Sequence, residues 1–376
     1  MNFGFDEQQK TFGDTVASVL ADFPALRSPD LLPPPHEAVW QALAEIGLFA
    51  LMVPERFDGV GMSIVDLALA VEALGAGLAP SAVAATLAAT DLIVRHGSEA
   101  QQHDLLPRIG TGATKVALAV LEPDQGYDPR DVRTKVVGNR LNGAKLLVGD
   151  AAEATLFLVV AQSKGRPSLL IVDAGVPGIA IRAHDDLDPT SGYCAVTFTD
   201  VAVGAAAILG ESDAECTVGR LVDVTATISA GLLMGSASKM LETAVDYVKV
   251  RVQFGQAIGA FQAIKHRCAD MAVALEAGRS AAYYAFWAVA ENAPDCARAA
   301  SMAKAYCGGV SRHICNETIQ VHGGMGFTWE LGLHRFLRRA KVIEHSYGDA
   351  AWHNERVLCA TLAEVNATVD ERRNAA

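Results

Sequence analysis

The chain of 376 residues is 51% apolar and 20% charged, a composition typical of a globular protein with a large core. Its formal net charge of −12 argues against a nucleic acid partner, because phosphate binding requires a basic face. An acidic protein can still hold an anionic cofactor, which needs only a local arginine or backbone N–H donors.

No targeting or membrane-spanning segment is expected. Residues 1–10 contain no basic stretch followed by an apolar run, so no signal peptide is predicted. The longest uncharged stretch, residues 73–90, is interrupted by Gly75, Gly77 and Pro80, which predicts two helices with a turn. Seven scattered cysteines without CxxC spacing indicate reduced thiols, a cytoplasmic location and no metal site.

The apolar periodicity changes twice along the chain. Residues 1–114 have the helical period, residues 115–213 have the shorter period of strands, and residues 214–376 return to the helical period. Within the middle region, Gly138 and Asn139 are predicted to form the two-residue turn of a hairpin. We therefore expect an N-terminal helical domain, a middle β-domain and a C-terminal helical domain.

A narrow, alanine-rich apolar stripe flanked by charges is predicted on one long C-terminal helix. Such a stripe suits helix-on-helix packing or an oligomer interface, and it argues against a monomer. The stripe consists of Ile264, Cys268, Met271, Leu275, Ala282, Phe286 and Val289.

Two C-terminal motifs suggest a ligand site. In "RVQFGQAIGAFQ", residues 251–262, an arginine and a glutamine flank a glycine-containing loop and could grip a pyrophosphate. In "QVHGGMGF", residues 320–327, three glycines let backbone N–H groups approach a ligand closely. Taken separately, the spacing of the first motif favours an ordinary helix–loop–helix with a surface arginine, and the second motif alone indicates little more than a glycine-rich turn between helices.

Two further stretches, "LAEIGLFALMVPERFDGVGM" and "LEPDQGYD", precede these motifs in the sequence. With all four stretches in this order, the chain resembles the acyl-CoA dehydrogenase family over essentially the whole length of the chain. The resemblance implies an α+β, mainly α fold with an N-terminal helical domain, a central β-barrel and a C-terminal four-helix bundle. It implies dimers or tetramers (a dimer of dimers) that bind FAD, an acyl-CoA substrate and electron-transfer flavoprotein as acceptor. In that family a carboxylate removes the α-proton while the flavin accepts the β-hydride.

The resemblance also assigns FAD contacts, because the family shares each FAD site between two subunits. The half contributed to the partner's FAD is present in this chain. It falls on Arg251, Phe254, Gln262, Gln320, Val321, His322, Gly323 and Gly324.

The half that hosts the flavin ring departs from the family pattern. Leu121 replaces a threonine and Tyr127 replaces a serine, so two hydroxyls that bond the flavin and its phosphates are missing. Residues 146–148 read Leu-Leu-Val where the family has Trp-Ile-Thr, which removes an aromatic wall and a further hydroxyl.

The catalytic base is missing as well. Tyr347 stands at the position of the usual glutamate, and Thr225 stands at the position that carries the glutamate in a minority of members. A neutral phenol, with an ordinary pKa of about 10, is a poor base at neutral pH. Glu344 and Asp349 lie nearby and are candidates for a relocated base, or else are solvated or salt-bridged carboxylates beside the basic residues of the same segment.

These features favour one hypothesis and leave three alternatives. The favoured one is a subunit of a heteromeric acyl-CoA dehydrogenase that completes a FAD site on a catalytic paralogue and acts on bulky acyl chains such as steroid side chains. The alternatives are a homo-oligomeric enzyme with a relocated base, a flavoprotein in which Tyr347 or Asp349 acts on a different substrate, and an acyl-CoA-binding or structural protein without flavin.

Overall fold

The computed structural model describes residues 4–26 and 36–374, and its N-terminal region is helical. The turn expected within residues 73–90 is confirmed, because one helix ends where Leu78 adopts a left-handed conformation, with φ of 57°, and the next begins at Ser81. The helices are α1 (Glu7–Ala21), α2 (His36–Glu45), α3 (Ala68–Gly77), α4 (Ser81–His96) and α5 (Glu99–Gly110).

The middle region is one eight-stranded sheet in the order β6-β7-β3-β2-β4-β5-β8, with β1 parallel to β4. The predicted hairpin is confirmed, since Gly138 and Asn139 have φ of 55° and 59° between β2 and β3. The expected order of a helical region, a central β-region and a second helical region is confirmed, and within the described residues the strand order of the sheet runs from β6 to β8 without a pairing between these two strands. The strands are β1 (Val116–Ala119), β2 (Lys135–Val137), β3 (Arg140–Val148), β4 (Leu156–Ser163), β5 (Arg166–Asp173), β6 (Ile179–Ala183), β7 (Cys194–Ala202) and β8 (Ile208–Leu209).

The C-terminal region is a helical bundle around one central helix of 37 residues. Its elements are α6 (Ala214–Val250), β9 (Val252–Gln253), β10 (Gln256–Ala257), α7 (Gln262–Ala290), α8 (Cys296–His322), α9 (Leu333–His345) and α10 (Ala350–Asn374). Among the described residues, one helix, Glu211–Val250, is long and apolar enough to cross a membrane. Its most apolar window is 89% buried inside the protein, as in the core helix of a bundle.

Buried ion pairs fix the three regions to one another. The Arg220 guanidinium on α6 donates to both carboxylate oxygens of Asp91 on α4, at 2.8 and 2.9 Å. The Arg339 guanidinium on α9 donates to Asp188 in the loop before β7 and, at 2.9 Å, to the Ala79 carbonyl between α3 and α4. Because a buried charge is costly without its partner, these pairs constrain how the regions dock.

Helices α3 and α6 cross at glycines. A Cβ added to Gly235 would lie 1.8 Å from the Glu72 carbonyl oxygen, whereas one added to Gly219 on the same helix meets nothing within 4 Å. We expect Gly235→Ala to force the helices apart and lower the free energy of unfolding by about 1–3 kcal/mol. The matched control Gly219→Ala should raise it by up to about 1 kcal/mol, because glycine disfavours a helix interior. Equal effects of the two substitutions in urea unfolding would contradict this packing.

Candidate functional site

The loop that follows α6 is ordered by backbone bonds while its side chains face solvent. Arg251 ends α6 and Gln262 begins α7, as predicted. The Arg251 carbonyl accepts the Ile258 N–H at 2.8 Å, and Gly255 has φ of 80°. The Phe254 side chain is 92% exposed, and the Arg251 and Gln262 side chains are exposed as well.

The glycine-rich turn lies at the same end of the bundle. Tyr247, one helical turn before the loop, stacks on His322 with 4.1 Å between ring centroids. A Cβ on Gly323 or Gly324 would meet nothing within 4 Å, so this backbone faces open space. Gln320 is exposed too, whereas the side chains of Val321 and His322 are buried.

We call the exposed group the open half-site, and exposed apolar side chains follow its glycine-rich turn in sequence. Phe327 is 80% exposed, and Met325, Trp329 and Leu331 are exposed on either side of it in sequence. The open half-site consists of Arg251, Phe254, Gln262, Gln320, Gly323 and Gly324.

The two positions predicted to carry a base line one cavity. Thr225 on α6 and Tyr347 after α9 both face it, and its volume is about 60 Å³. Typical ligand pockets have roughly 300–1,000 Å³, so this cavity is several-fold smaller than a typical ligand pocket. Its apolar walls come from α3, α4 and α6, including Leu74, Val83 and Ile228.

Among the described residues that line this cavity, no side chain is a base at neutral pH. The Thr225 hydroxyl donates to the Leu221 carbonyl at 2.7 Å, within its own helix. Burial, with a smaller contribution from Tyr193, raises the pKa of the Tyr347 phenol further above its ordinary value. Burial likewise raises the pKa of Tyr193 to about 12, and its hydroxyl is 2.7 Å from Ser346 Oγ.

The two candidates for a relocated base lie outside the cavity lining. Both Glu344 oxygens accept from Arg312 Nε on α8, at 3.1 and 3.2 Å. The Asp349 carboxylate accepts the Trp352 N–H at 2.9 Å and caps the first turn of α10. Each carboxylate therefore has a structural partner, and this geometry argues against a role for either as the base.

Comparison with known proteins identifies the family. The models of the N-terminal, middle and C-terminal domains of acyl-CoA dehydrogenases match residues 3–113, 117–201 and 219–360. The chain belongs to the acyl-CoA dehydrogenase family. Members of this family are FAD-dependent oxidoreductases that act on CH–CH donors.

Relatives and solved structures agree with this assignment. The Bacillus subtilis protein YngJ, named a probable acyl-CoA dehydrogenase, is 31% identical over 330 residues, covering 82% of this chain and 85% of its own. Butyryl-CoA dehydrogenase of Megasphaera elsdenii superposes with a TM-score of 0.87 at 25% identity, covering 96% of this chain and 100% of its own. A variant of the Tcur3481-Tcur3483 steroid ACAD gives 0.87 at 28% identity, with 96% and 99% covered.

A groove beside the loop that carries Tyr127 has more carboxylates than arginines on its lining. Tyr127 lines a groove of about 710 Å³ between the loop of residues 126–131, the start of α6 and α10, which we call the acidic groove. Of the arginines that line it, Arg130 is paired with Asp128, and Arg356 donates to Asp223 at 2.8 Å. The remaining charged groups on its lining are carboxylates, which repel a diphosphate.

A buried lysine that the sequence did not reveal as important holds the turn bearing Tyr347. Lys304 Nζ on α8 donates to the carbonyls of Ile343, Glu344 and Gly348 at 2.8, 2.9 and 3.0 Å. These carbonyls belong to the C-terminal end of α9 and the turn after it, where a cation is favourable. The only sequence signal is one lysine on the apolar face of a helix.

Burial lowers the pKa of Lys304 to about 7, from an ordinary value of 10.5. Between these two values the unfolded chain binds more protons than the folded one, so folding becomes more favourable as the pH rises. We expect the free energy of unfolding of the wild type, minus that of Lys304→Met, to increase by about 1 kcal/mol per pH unit between pH 7 and 10. Urea unfolding at several pH values measures this difference. The exposed control Lys249→Met should follow the wild type, and parallel curves for Lys304→Met would contradict the prediction.

Proposed function

We propose that this chain is a non-catalytic subunit of a heteromeric, FAD-dependent acyl-CoA dehydrogenase. The proposal is supported by the contrast between the open half-site and the chain's own cavity. The open half-site keeps its arginine, glutamine and accessible glycine backbone on the surface. The chain's own cavity lacks a base and has about 60 Å³ of space. In this proposal the open half-site completes a FAD site on a paralogue that supplies the glutamate.

Four of the six residues of the open half-site have a stated role in this assembly. The Arg251 guanidinium would hold the pyrophosphate of the paralogue's FAD by charge-assisted hydrogen bonds. Gly323 and Gly324 would offer backbone N–H groups to the same anion, which a side chain at either position would obstruct. Phe254 would provide an apolar surface for the cofactor and exclude water. When bound, FAD supplies the hydride acceptor for the dehydrogenation.

The proposed substrate is a bulky acyl-CoA thioester, and the proposed electron acceptor is an electron-transfer flavoprotein. The substrate is supported by the similarity to the Tcur3481-Tcur3483 steroid ACAD at 28% identity. The acceptor is supported by the family resemblance.

The first test is the visible spectrum of the purified chain, with flavin counted per chain. We expect a colourless chain that gains activity only with a glutamate-bearing paralogue, and a complex with one FAD for each pair of unlike chains. One FAD per isolated chain that bleaches when acyl-CoA is added without oxygen would contradict the proposal. In the complex, Arg251→Glu should remove most of the flavin, because it places a carboxylate beside the pyrophosphate. The exposed control Lys249→Glu should retain it.

A second test separates the proposal from the alternative of a relocated base. Glu344→Gln and Asp349→Asn keep the shape of each side chain, and asparagine remains a good helix cap. Because the paralogue supplies the base in our proposal, both variants should retain kcat within about twofold in the assembled enzyme. A loss of a hundredfold or more in kcat, at unchanged flavin content, would instead identify the substituted carboxylate as the base.

A further inference from the structure

One part of the cavity wall is polar and joins three segments of the chain. The loop between β6 and β7, residues 184–193, provides Tyr193, and α4 provides Ser81. Helix α9 and the residue after it provide Arg339 and Ser346. The contacts at this junction therefore determine how closely the loop covers the cavity.

Arg339 ties the loop to α9 and to the turn before α4. Its guanidinium donates to Asp188 and, at 2.9 Å each, to the carbonyls of Thr190 and Ala79. Arg339 is 5% exposed and Asp188 is 2% exposed, so the ion pair is buried. Separating a buried ion pair leaves two unpaired charges inside the protein, which makes this contact the costliest of the junction to break.

Two hydroxyl contacts hold the same loop on either side of the ion pair. The Tyr193 hydroxyl is 2.7 Å from Ser346 Oγ at the end of α9. Ser81 Oγ at the start of α4 donates to the Ser191 carbonyl at 3.0 Å. Each of these bonds contributes less than the ion pair, because water can replace a neutral partner when the loop moves away.

The loop is held by polar contacts more than by apolar packing. The side chains of Asp188, Thr190 and Ser191 are buried, whereas that of Leu187 is 52% exposed. Because the hydrophobic effect favours the burial of apolar and not of polar groups, it contributes little to the position of this loop. The position therefore depends on the ion pair and on the hydroxyl contacts.

We propose that residues 184–193 form a strap, locked by Arg339 and Asp188, that closes the cavity of this chain to an acyl chain. This inference rests on the proposed function, in which the paralogue and not this chain binds the substrate. The strap is an autoinhibitory contact within the subunit. When it is released, Ser346 no longer holds the ring of Tyr193 in place, and the apolar walls on α3, α4 and α6 become accessible to an alkyl chain, whose burial is favourable. A locked strap keeps the non-catalytic subunit from competing with the paralogue for substrate.

The first test removes the lock without leaving a buried charge unpaired. The unlocked variant, Asp188→Asn with Arg339→Gln, loses both charges and shortens the arm that reaches the loop. The matched control, Asp91→Asn with Arg220→Gln, makes the same change in the buried ion pair between α4 and α6, away from the cavity lining. Binding of octanoyl-CoA and of free CoA to the purified chain is measured by isothermal titration calorimetry. We expect only the unlocked variant to bind octanoyl-CoA at least tenfold more tightly than the wild type, with no gain in affinity for free CoA.

Two results would overturn the inference. Equal affinities of the wild type and the unlocked variant for octanoyl-CoA would show that the lock does not control the cavity. An equal gain in affinity for free CoA would show that the acyl chain is not the part that enters. Neither result depends on flavin or on a paralogue. A chain that fails this test and still completes a paralogue's FAD site would therefore retain the proposed function, and a chain that passes it but never assembles would overturn the proposed function alone.

A milder variant tests the strap even if the unlocked variant does not fold. Tyr193→Phe with Ser81→Ala removes both hydroxyl contacts and keeps the ion pair. The control Thr318→Val removes a buried hydroxyl bond to the Met240 carbonyl inside the bundle. We expect amide hydrogen exchange in residues 184–193, followed by mass spectrometry, to be at least tenfold faster in the strap variant and unchanged in the control. Equal exchange of this loop in all three proteins would contradict a strap held by these contacts.

Discussion

The region around the lost base depends on one lysine amine that is buried between helices. Lys304 joins the last turn of α9 to the segment that starts α10, through three backbone carbonyls. Tyr347 and Gly348 both have positive φ, at 57° and 113°, so the turn between them is conformationally costly. The hydrogen bonds from Lys304 Nζ offset part of that cost, and they hold the turn that carries Tyr347 to the cavity wall and leads into α10 beside the acidic groove.

This constraint makes the two sides of the junction interdependent. The side chain of Tyr347 occupies the cavity, and five residues later Trp352 forms part of the groove wall. His353 lies between them, with Nε2 3.2 Å from the Tyr347 carbonyl oxygen, and burial lowers the pKa of this imidazole to about 3. The imidazole is therefore neutral and adds no charge beside Lys304. A substitution that moved this turn would alter the cavity and the groove together.

Local rules predicted the elements of this protein well, whereas features that depend on distant residues escaped them. The hairpin at Gly138–Asn139 and the helix boundaries at Arg251 and Gln262 follow from backbone preferences of a few neighbouring residues. The order of the strands within the sheet could not be predicted, because strand pairing between distant segments has no local signature. The role of Lys304 and the pairing of Glu344 with Arg312 also required the fold, since each joins residues more than thirty positions apart.

The small cavity and the missing base have a common physical consequence. An apolar cavity destabilises a protein by roughly 24 cal/mol for each Å³, so closing 100 Å³ contributes about 2 kcal/mol to stability. A catalytic subunit cannot make this gain, because its cavity must admit the acyl chain. A subunit that only completes its partner's cofactor site has no such requirement, and a tyrosine in place of the glutamate then fills space while removing a buried charge. The exposed arginine and glycines of the open half-site give no comparable gain in stability. Their presence beside a small cavity is therefore consistent with a chain that acts on its partner's cofactor.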